Sequence, residues 1–162
     1  MAKKKEQPQK RTPRIANRRA RHDYHVLEVV ECGIRLAGTE VKSLRAGQAK
    51  IDEAYARIRN GEVFLVGMNI AHYPYAAATL QHAPTADRKL LLHGRQVRQL
   101  AAHVAQKGNT LVPLAVYFKG SWAKCELGIV TGKRQYDKRQ DIKARQQQRD
   151  ISREMRRRGR EG

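Results

Sequence analysis

Six histidines, two cysteines and 15 carboxylates are the residues of this 162-residue chain whose chemistry could go beyond packing. Metal binding asks for three or four such groups at short fixed spacings, and covalent catalysis asks for a nucleophile beside a base. His22 and His25 come closest, three residues apart, yet in a strand they fall on opposite faces, and neither has a cysteine or carboxylate at ligand spacing. His72, His82, His93 and His103 are scattered over loops and a helix. Cys32 and Cys125 lack metal or redox spacing and read as buried free thiols of a reducing cytosol. Glu40, Asp52 and Glu126 are explained by caps and surface pairs. There is no glycine-rich phosphate loop, nucleophile elbow or paired-histidine helix. No metal and no cofactor are expected, and an enzyme is not indicated.

The abundant chemistry is positive charge. Thirty-four Lys and Arg face 15 acids, a formal net charge of +19. Residues 1–21 hold nine Lys/Arg against one acid and residues 133–162 hold twelve against five, whereas residues 22–132 keep thirteen against nine. The ends therefore carry most of the charge and the middle has the balance of a folded domain. Concentrated positive charge repels itself, and a polyanion relieves it by counterion release. Nucleic acid is the expected partner. A membrane is not, because no run of about 18 apolar residues exists and neither end has the bulky apolar face of an interfacial helix. The start, MAKKKEQPQKRTPR, lacks the apolar core of a secretory signal, so a cytoplasmic location is expected.

Short strand-like runs and turns must position whatever binds. YHVLEVVE (24–31) and IRL (34–36) flank Cys32-Gly33, which suggests a tight hairpin. EAYARIRN sets Ala54, Ala56 and Ile58 on one face, and Asn60-Gly61 turns it into EVFLVGMNI. TLVPLAVYF and AKCELGIVTG follow, with Pro113 marking an edge or a bulge. Two helices interrupt them. GTEVKSLRAG has Thr39 as N-cap, with Val41 and Leu44 inward, and RQVRQLAAHVAQKG places Val97, Leu100, Ala101 and Val104 on one stripe. The fold class expected is mainly β: a closed OB-fold-like β-barrel of about six strands with two or three short helices, over residues 15–132, between a basic flexible arm (1–14) and a basic tail (133–162).

After Lys133 the apolar side chains besides Tyr136 and alanine are Ile142, Ile151 and Met155, too few to repay ordering by burial, so the free tail is expected to be disordered. Yet Asp141/Arg145 and Glu154/Arg158 lie four apart in the helix-favouring order, and residues 133–158 contain neither Gly nor Pro. Folding into a helix against RNA is the expected behaviour.

Five blocks in order then become specific: NRRARHDYHVLE (17–28), GTEVKSLRAG (38–47), RKLLLH (88–93), KGNTLVPLAVYFK (107–119) and AKCELGIVTGKRQYDKRQDIKAR (123–145). Together they resemble the SsrA-binding protein family. The resemblance implies a protein that binds transfer-messenger RNA and brings it to stalled ribosomes for trans-translation. It implies a barrel gripping the tRNA-like domain, and a tail entering the small-subunit decoding centre and the empty message channel as a helix. Alanyl-tRNA synthetase and elongation factor Tu are implied as indirect partners, and a monomer bound to RNA as the working unit. By the same resemblance the RNA contacts fall on Asn17, Glu31, Leu91 and Lys124; Arg18, Arg19, the Lys42 and Arg45 that share a face of their helix, and His93 are the further RNA-binding candidates. The family's tail signature falls on Gly132, Asp137, Lys138 and Arg139, and Lys133, Arg134, Tyr136, Lys143 and Arg145 are the further ribosome-binding candidates of the tail. His93 stands where other members often carry Asn, and Tyr136 where some carry His. A basic ribosomal or ribosome-assembly protein is the alternative, and a barrel nuclease a more distant one.

Overall fold

The computed structural model of the protein describes residues 13–158, so most of the basic arm and residues 159–162 lie outside the described residues. The chain begins with β1 (Ile15–Ala16) and α1 (Arg18–Asp23), then runs into β2 (Tyr24–Ile34) and α2 (Gly38–Arg45). Next come β3 (Ala49–Lys50), β4 (Tyr55–Arg59), β5 (Glu62–Val66), β6 (Asn69–Ile70) and β7 (Arg88–Leu91). It ends with α3 (Gly94–Val104), β8 (Asn109–Lys119), β9 (Trp122–Gly132) and α4 (Gln135–Arg158). Strands pair in the order β8-β4-β5-β7-β2-β9, and β9 returns to β8, which closes a six-stranded antiparallel ring. The expected barrel of about six strands is therefore present, with three helices on its body. Closure removes the open edges through which sheets aggregate.

Local chemistry explains several joints. Asn60 and Gly61 both have positive φ, 51° and 73°, as a two-residue hairpin turn between β4 and β5 requires. Pro113 cannot donate to a ladder, and the β8–β9 register shifts between Pro113 and Ala115. The bulged Leu114 turns its carbonyl to the backbone N–H of Asn17, 2.8 Å away, which ties the start of α1 to β8. Alternation along β9 buries Cys125, Leu127 and Ile129, which meet Leu65, Leu90 and Leu111 in the barrel interior. A smaller cluster of Ala20, Val112, Leu114 and Val130 lies under α1, so β8 is buried on both faces at its centre.

Three expectations are corrected. Cys32-Gly33 is not a turn: β2 runs through it as one eleven-residue strand, paired to β7 and β9 at once. A Cβ on Gly33 would stand 3.3 Å from Leu91 Cβ, so this glycine serves a close approach between strands. The N-cap of α2 is Ala37, whose N–H donates to Glu40 Oε2 at 2.7 Å, while Thr39 Oγ1 is bonded to His82 Nδ1 at 2.9 Å. Val97 and Leu100 of α3 are buried but Ala101 and Val104 are exposed, because the helix meets the barrel along a narrower stripe than its periodicity offers. The tail forms the 24-residue helix α4, its first turns fastened to the body as described below.

The cysteines face each other as cross-strand partners, both free and buried, with Cys32 Sγ donating to the Cys125 carbonyl at 3.5 Å. The hydrogen bond with Cys32 and burial push the Cys125 thiol well up, which keeps it protonated and inert.

A buried ion pair organises the long connection before β7. The Arg88 and Glu40 side chains are 2% and 7% exposed. Arg88 Nε and Nη2 each reach Glu40 Oε1 at 2.8 Å. Nη1 donates to the carbonyls of Met68 and Ala86 at 2.6 and 2.9 Å, and Nη2 to that of Pro84 at 2.9 Å. Four of the five guanidinium protons are thus spent in hydrogen bonds, and α2 is joined to both ends of the connection. Arg88→Met leaves Glu40 buried without its counter-ion and is expected to lower stability by about 3–5 kcal/mol in urea unfolding. The double change Glu40→Leu with Arg88→Met is expected to cost less than the single one.

Candidate nucleic-acid interface

β2, β7 and β9 bring one group of the expected residues together. Leu91 and Lys124 are the cross-strand partners of Gly33 on its two sides, and Glu31 lies two residues earlier on the same outward face. With His93 and Gln96 they line an open depression of about 300 Å³. Leu90 is buried and Leu92 half-buried, so alternation in RKLLLH leaves Leu91 outside, 51% exposed. His93 is exposed at the N-cap of α3, its N–H donating to Gln96 Oε1 at 3.0 Å.

Electrostatics explain an acid on this face. Glu31 and Glu126 are directly opposite in the β2–β9 ladder, an arrangement that repels unless each finds a cation. Glu126 is held by Arg14 at 2.7 Å. Glu31 accepts the Tyr117 hydroxyl, with Lys119 Nζ at 3.4 Å and Lys124 Nζ at 3.9 Å. The Arg14 guanidinium also lies over the Tyr117 ring, 5.0 Å from its centroid. The Tyr117 bond, before the lysines, holds the Glu31 carboxyl below its ordinary range, and the same bond pushes Tyr117 up to about 12. Glu31 therefore stays ionised and arrays two lysines and a tyrosine at the rim of the depression.

The other expected body residues sit apart. Asn17 is 1% exposed: its Oδ1 accepts the Ala20 N–H at 2.8 Å and its Nδ2 donates to the Ile51 carbonyl at 3.0 Å. It is a helix cap with its polar groups spent inside the protein, and it fixes the exposed Arg18 and Arg19 that follow. Lys42 and Arg45 are exposed on α2, stacked over Tyr73 and Phe118 at 5.2 and 5.1 Å. A separate hollow of about 380 Å³ beside α1 is lined by Asp23, Asp52 and Glu53 as well as Arg19, a poor seat for phosphate.

The tail leaves β9 at Gly132, which is exposed. The Lys133 side chain is 7% exposed and bonded to Asp141, and its backbone N–H donates to the Asp23 carbonyl at 2.9 Å. Lys138 Nζ is 3.1 Å from Asp23 Oδ1, and Asp137 is 3.6 Å from His25 Nε2. Arg134, Arg139, Lys143 and Arg145 are exposed. Tyr136 lies in the first turn of α4, and its side chain falls outside the described residues, as does that of Arg158 from the expected pair with Glu154. Asp141, expected to pair with Arg145, is taken by Lys133, whose bond chiefly holds its carboxyl below the ordinary range. Among the described residues no group of three His, Cys, Asp or Glu is placed to hold a metal, and no helix is long and apolar enough to cross a membrane.

The family described as SmpB protein matches residues 14–157. The chain belongs to the SmpB family. The SsrA-binding protein of Thermobifida fusca is 48% identical over 160 residues, covering 98% of this chain and 99% of that one. That of Oleidesulfovibrio alaskensis is 55% identical over 142 residues, 87% of this chain and 88% of its own. A solved structure described as "tmRNA-SmpB: a journey to the center of the bacterial ribosome" is similar with a TM-score of 0.65 and 46% identity, covering 80% of this chain and 94% of that one. The resemblance read from the five sequence blocks is thereby confirmed.

Sequence reasoning on this SmpB-family chain missed Arg14, Tyr117, Lys119 and the face of Glu126. Period-two alternation with buried Cys125 and Leu127 places Glu126 outward, but only the ladder register puts it opposite Glu31. Stability supplied by Glu31 is present above its ordinary value of 4.5 and is lost as pH falls through its lowered value in the fold. Tyr117→Phe is expected to raise the Glu31 carboxyl back towards 4.5, so that this loss begins at higher pH, as read by carbon-detected NMR titration. A Glu31 titration unchanged by the substitution contradicts the assignment.

Proposed function

We propose that this SmpB-family chain binds transfer-messenger RNA and acts with it on stalled ribosomes in trans-translation. The observation that carries the reading is the clustering of Glu31, Leu91, His93 and Lys124 on one barrel face, in a chain whose basic tail leaves the barrel separately at Gly132. Lys119 and Lys124 supply phosphate contacts with their ammonium groups pre-positioned by Glu31, Leu91 offers an apolar platform, and His93 a ring for stacking. These groups read backbone shape and an unstacked surface rather than a base sequence. Arg18 and Arg19 on α1 and Lys42 and Arg45 on α2 extend the positive field around the barrel.

The tail meets a second RNA surface, that of the small-subunit decoding centre and empty message channel. Arg134 just before α4 and Arg139, Lys143 and Arg145 on it face solvent and are placed to meet phosphate, and Tyr136 lies in the turn that would enter first. Residues 143–156 of α4 are exposed, so neutralisation by RNA stabilises these turns. The protein works by binding alone, as a monomer in the cytoplasm. Alanyl-tRNA synthetase and elongation factor Tu act on the RNA it holds.

Two outcomes are expected. Pull-down of the full chain from bacterial extract followed by RNA sequencing recovers one dominant tRNA-like species, whereas bulk ribosomal RNA without it would favour a ribosomal or ribosome-assembly protein. Deleting residues 133–162 keeps the affinity for transfer-messenger RNA within about twofold and abolishes peptide tagging on stalled ribosomes; loss of RNA binding on truncation contradicts this division between barrel and tail.

A further inference from the structure

The barrel is two groups of strands joined at narrow seams. β2, β9 and β8 pair along most of their eleven-residue lengths, and β4, β5 and β7 form the second group. Among the described residues β8 meets β4 through the pair Ala56–Leu111 alone. β7 meets β2 through Gly33–Leu91 and Ile34–Leu90, and the Arg35 N–H donates to the Lys89 carbonyl at 2.9 Å.

The depression that gathers the expected RNA contacts straddles this second seam. Glu31 and Lys124 stand on the long strands β2 and β9, whereas Leu91 ends β7 and His93 caps α3. A ligand seated there touches both groups at once, so its affinity depends on how closely the seam is drawn.

Gly33 sets that distance. An ordinary cross-strand pair keeps its Cβ atoms about 4.5–5.5 Å apart. A Cβ on Gly33 would lie 3.3 Å from Leu91 Cβ, 3.4 Å from its Cδ1 and 3.7 Å from its Cγ, so β7 is drawn in roughly 1 Å nearer than an ordinary pair allows and the Leu91 side chain folds over residue 33. The φ of Gly33 lies outside the left-handed region, so the close approach alone calls for glycine here. Core packing does not explain that approach. The neighbouring pair, Ile34 and Leu90, already fills the interior side of the seam, while Leu91 is half exposed. What the approach gains is an outward apolar surface lying flat beside Lys124.

We propose that Gly33 is a positioning residue for RNA binding: lacking a Cβ, it lets Leu91 lie across β2, so that the apolar platform from β7 and the ammonium group from β9 form one contact surface. Leu91 and Lys124 flank Gly33 as its partners on either side, and Gly33 is the floor between them. A side chain at residue 33 lifts Leu91 or widens the seam. Either change parts the apolar contact from the phosphate contact, on strands too rigid to make up the difference. The proposal rests on the reading of this face as the site for transfer-messenger RNA.

The test joins leucine-methyl NMR of the RNA-free full chain to its binding of the tRNA-like domain of transfer-messenger RNA across a range of salt. In the parent the Leu91 methyls are expected to show nuclear Overhauser contacts to the Gly33 α protons. Gly33→Ala is expected to shift the Leu91 methyl signals and leave those of Leu127, in the barrel interior, in place. Its affinity is expected to fall about tenfold at every salt concentration, with the salt slope unchanged because the lysines remain. Leu91→Gly, which removes the Cβ that residue 33 would meet, is expected to lose a similar factor, and Gly33→Ala added to it to cost no more than about twofold further. Parent-like affinity in Gly33→Ala, multiplied losses in the double variant, Leu127 signals that move with those of Leu91, or no Gly33–Leu91 contact in the parent overturns the proposal. A parent with no preference for transfer-messenger RNA strikes the proposed function alone, and the comparison of Gly33→Ala with the double variant is then decided on poly(U).

Discussion

The constraint on which this molecule is built is self-repulsion: 34 Lys and Arg must coexist with 15 acids in a chain of 162 residues. Unrelieved, such a field opposes compaction. The fold answers by stationing its few carboxylates where cations gather. Glu40 holds Arg88 inside, Asp87 holds Arg57 and Arg59 at 3.3 Å and closer, Glu31 holds Lys119 and Lys124, Glu126 holds Arg14, and Asp23 and Asp141 hold Lys138 and Lys133. Each acid both lowers the local repulsion and fixes where a positive group points. Cations arranged in advance lose less freedom when phosphate arrives, which favours recognition of one shape over indiscriminate adhesion.

That placement separates two kinds of positive surface. On the barrel the lysines are anchored beside an exposed leucine and a histidine, on strands whose register a closed ring cannot slip. On the tail beyond Asp141 the cations project from one unpacked helix. Rigid strands suit a contact whose geometry must discriminate, and an unpacked helix suits a channel whose walls supply the order.

What the sequence disclosed was what is decided locally. Asn60-Gly61 demands positive φ whatever surrounds it, Pro113 cannot sit in an unbroken ladder, and alternation sends Leu91 outward between Leu90 and Leu92. What stayed hidden was decided by partners distant in the chain. Cys32-Gly33 looks like a turn until Leu91 and Lys124 are seen on either side of it, and Arg88 looks like a surface cation until Glu40, 48 residues earlier, is found beneath it. The cradle of Glu31 by Tyr117 spans 86 residues, and Asp141 prefers Lys133 to the Arg145 its spacing suggests. Of the nine expected body contacts, four converge on the depression, while Asn17 serves by capping α1.

The central claim is that the face around Glu31 meets RNA phosphate, and the salt dependence of affinity counts such contacts. Binding of the full chain to the tRNA-like domain of transfer-messenger RNA, measured across a range of salt, is expected to lose about one unit of slope in Lys124→Gln. Arg57→Gln, on β4 across the ring from β2, is expected to leave the slope unchanged. Equal losses in the two variants, or none in Lys124→Gln, would contradict the account.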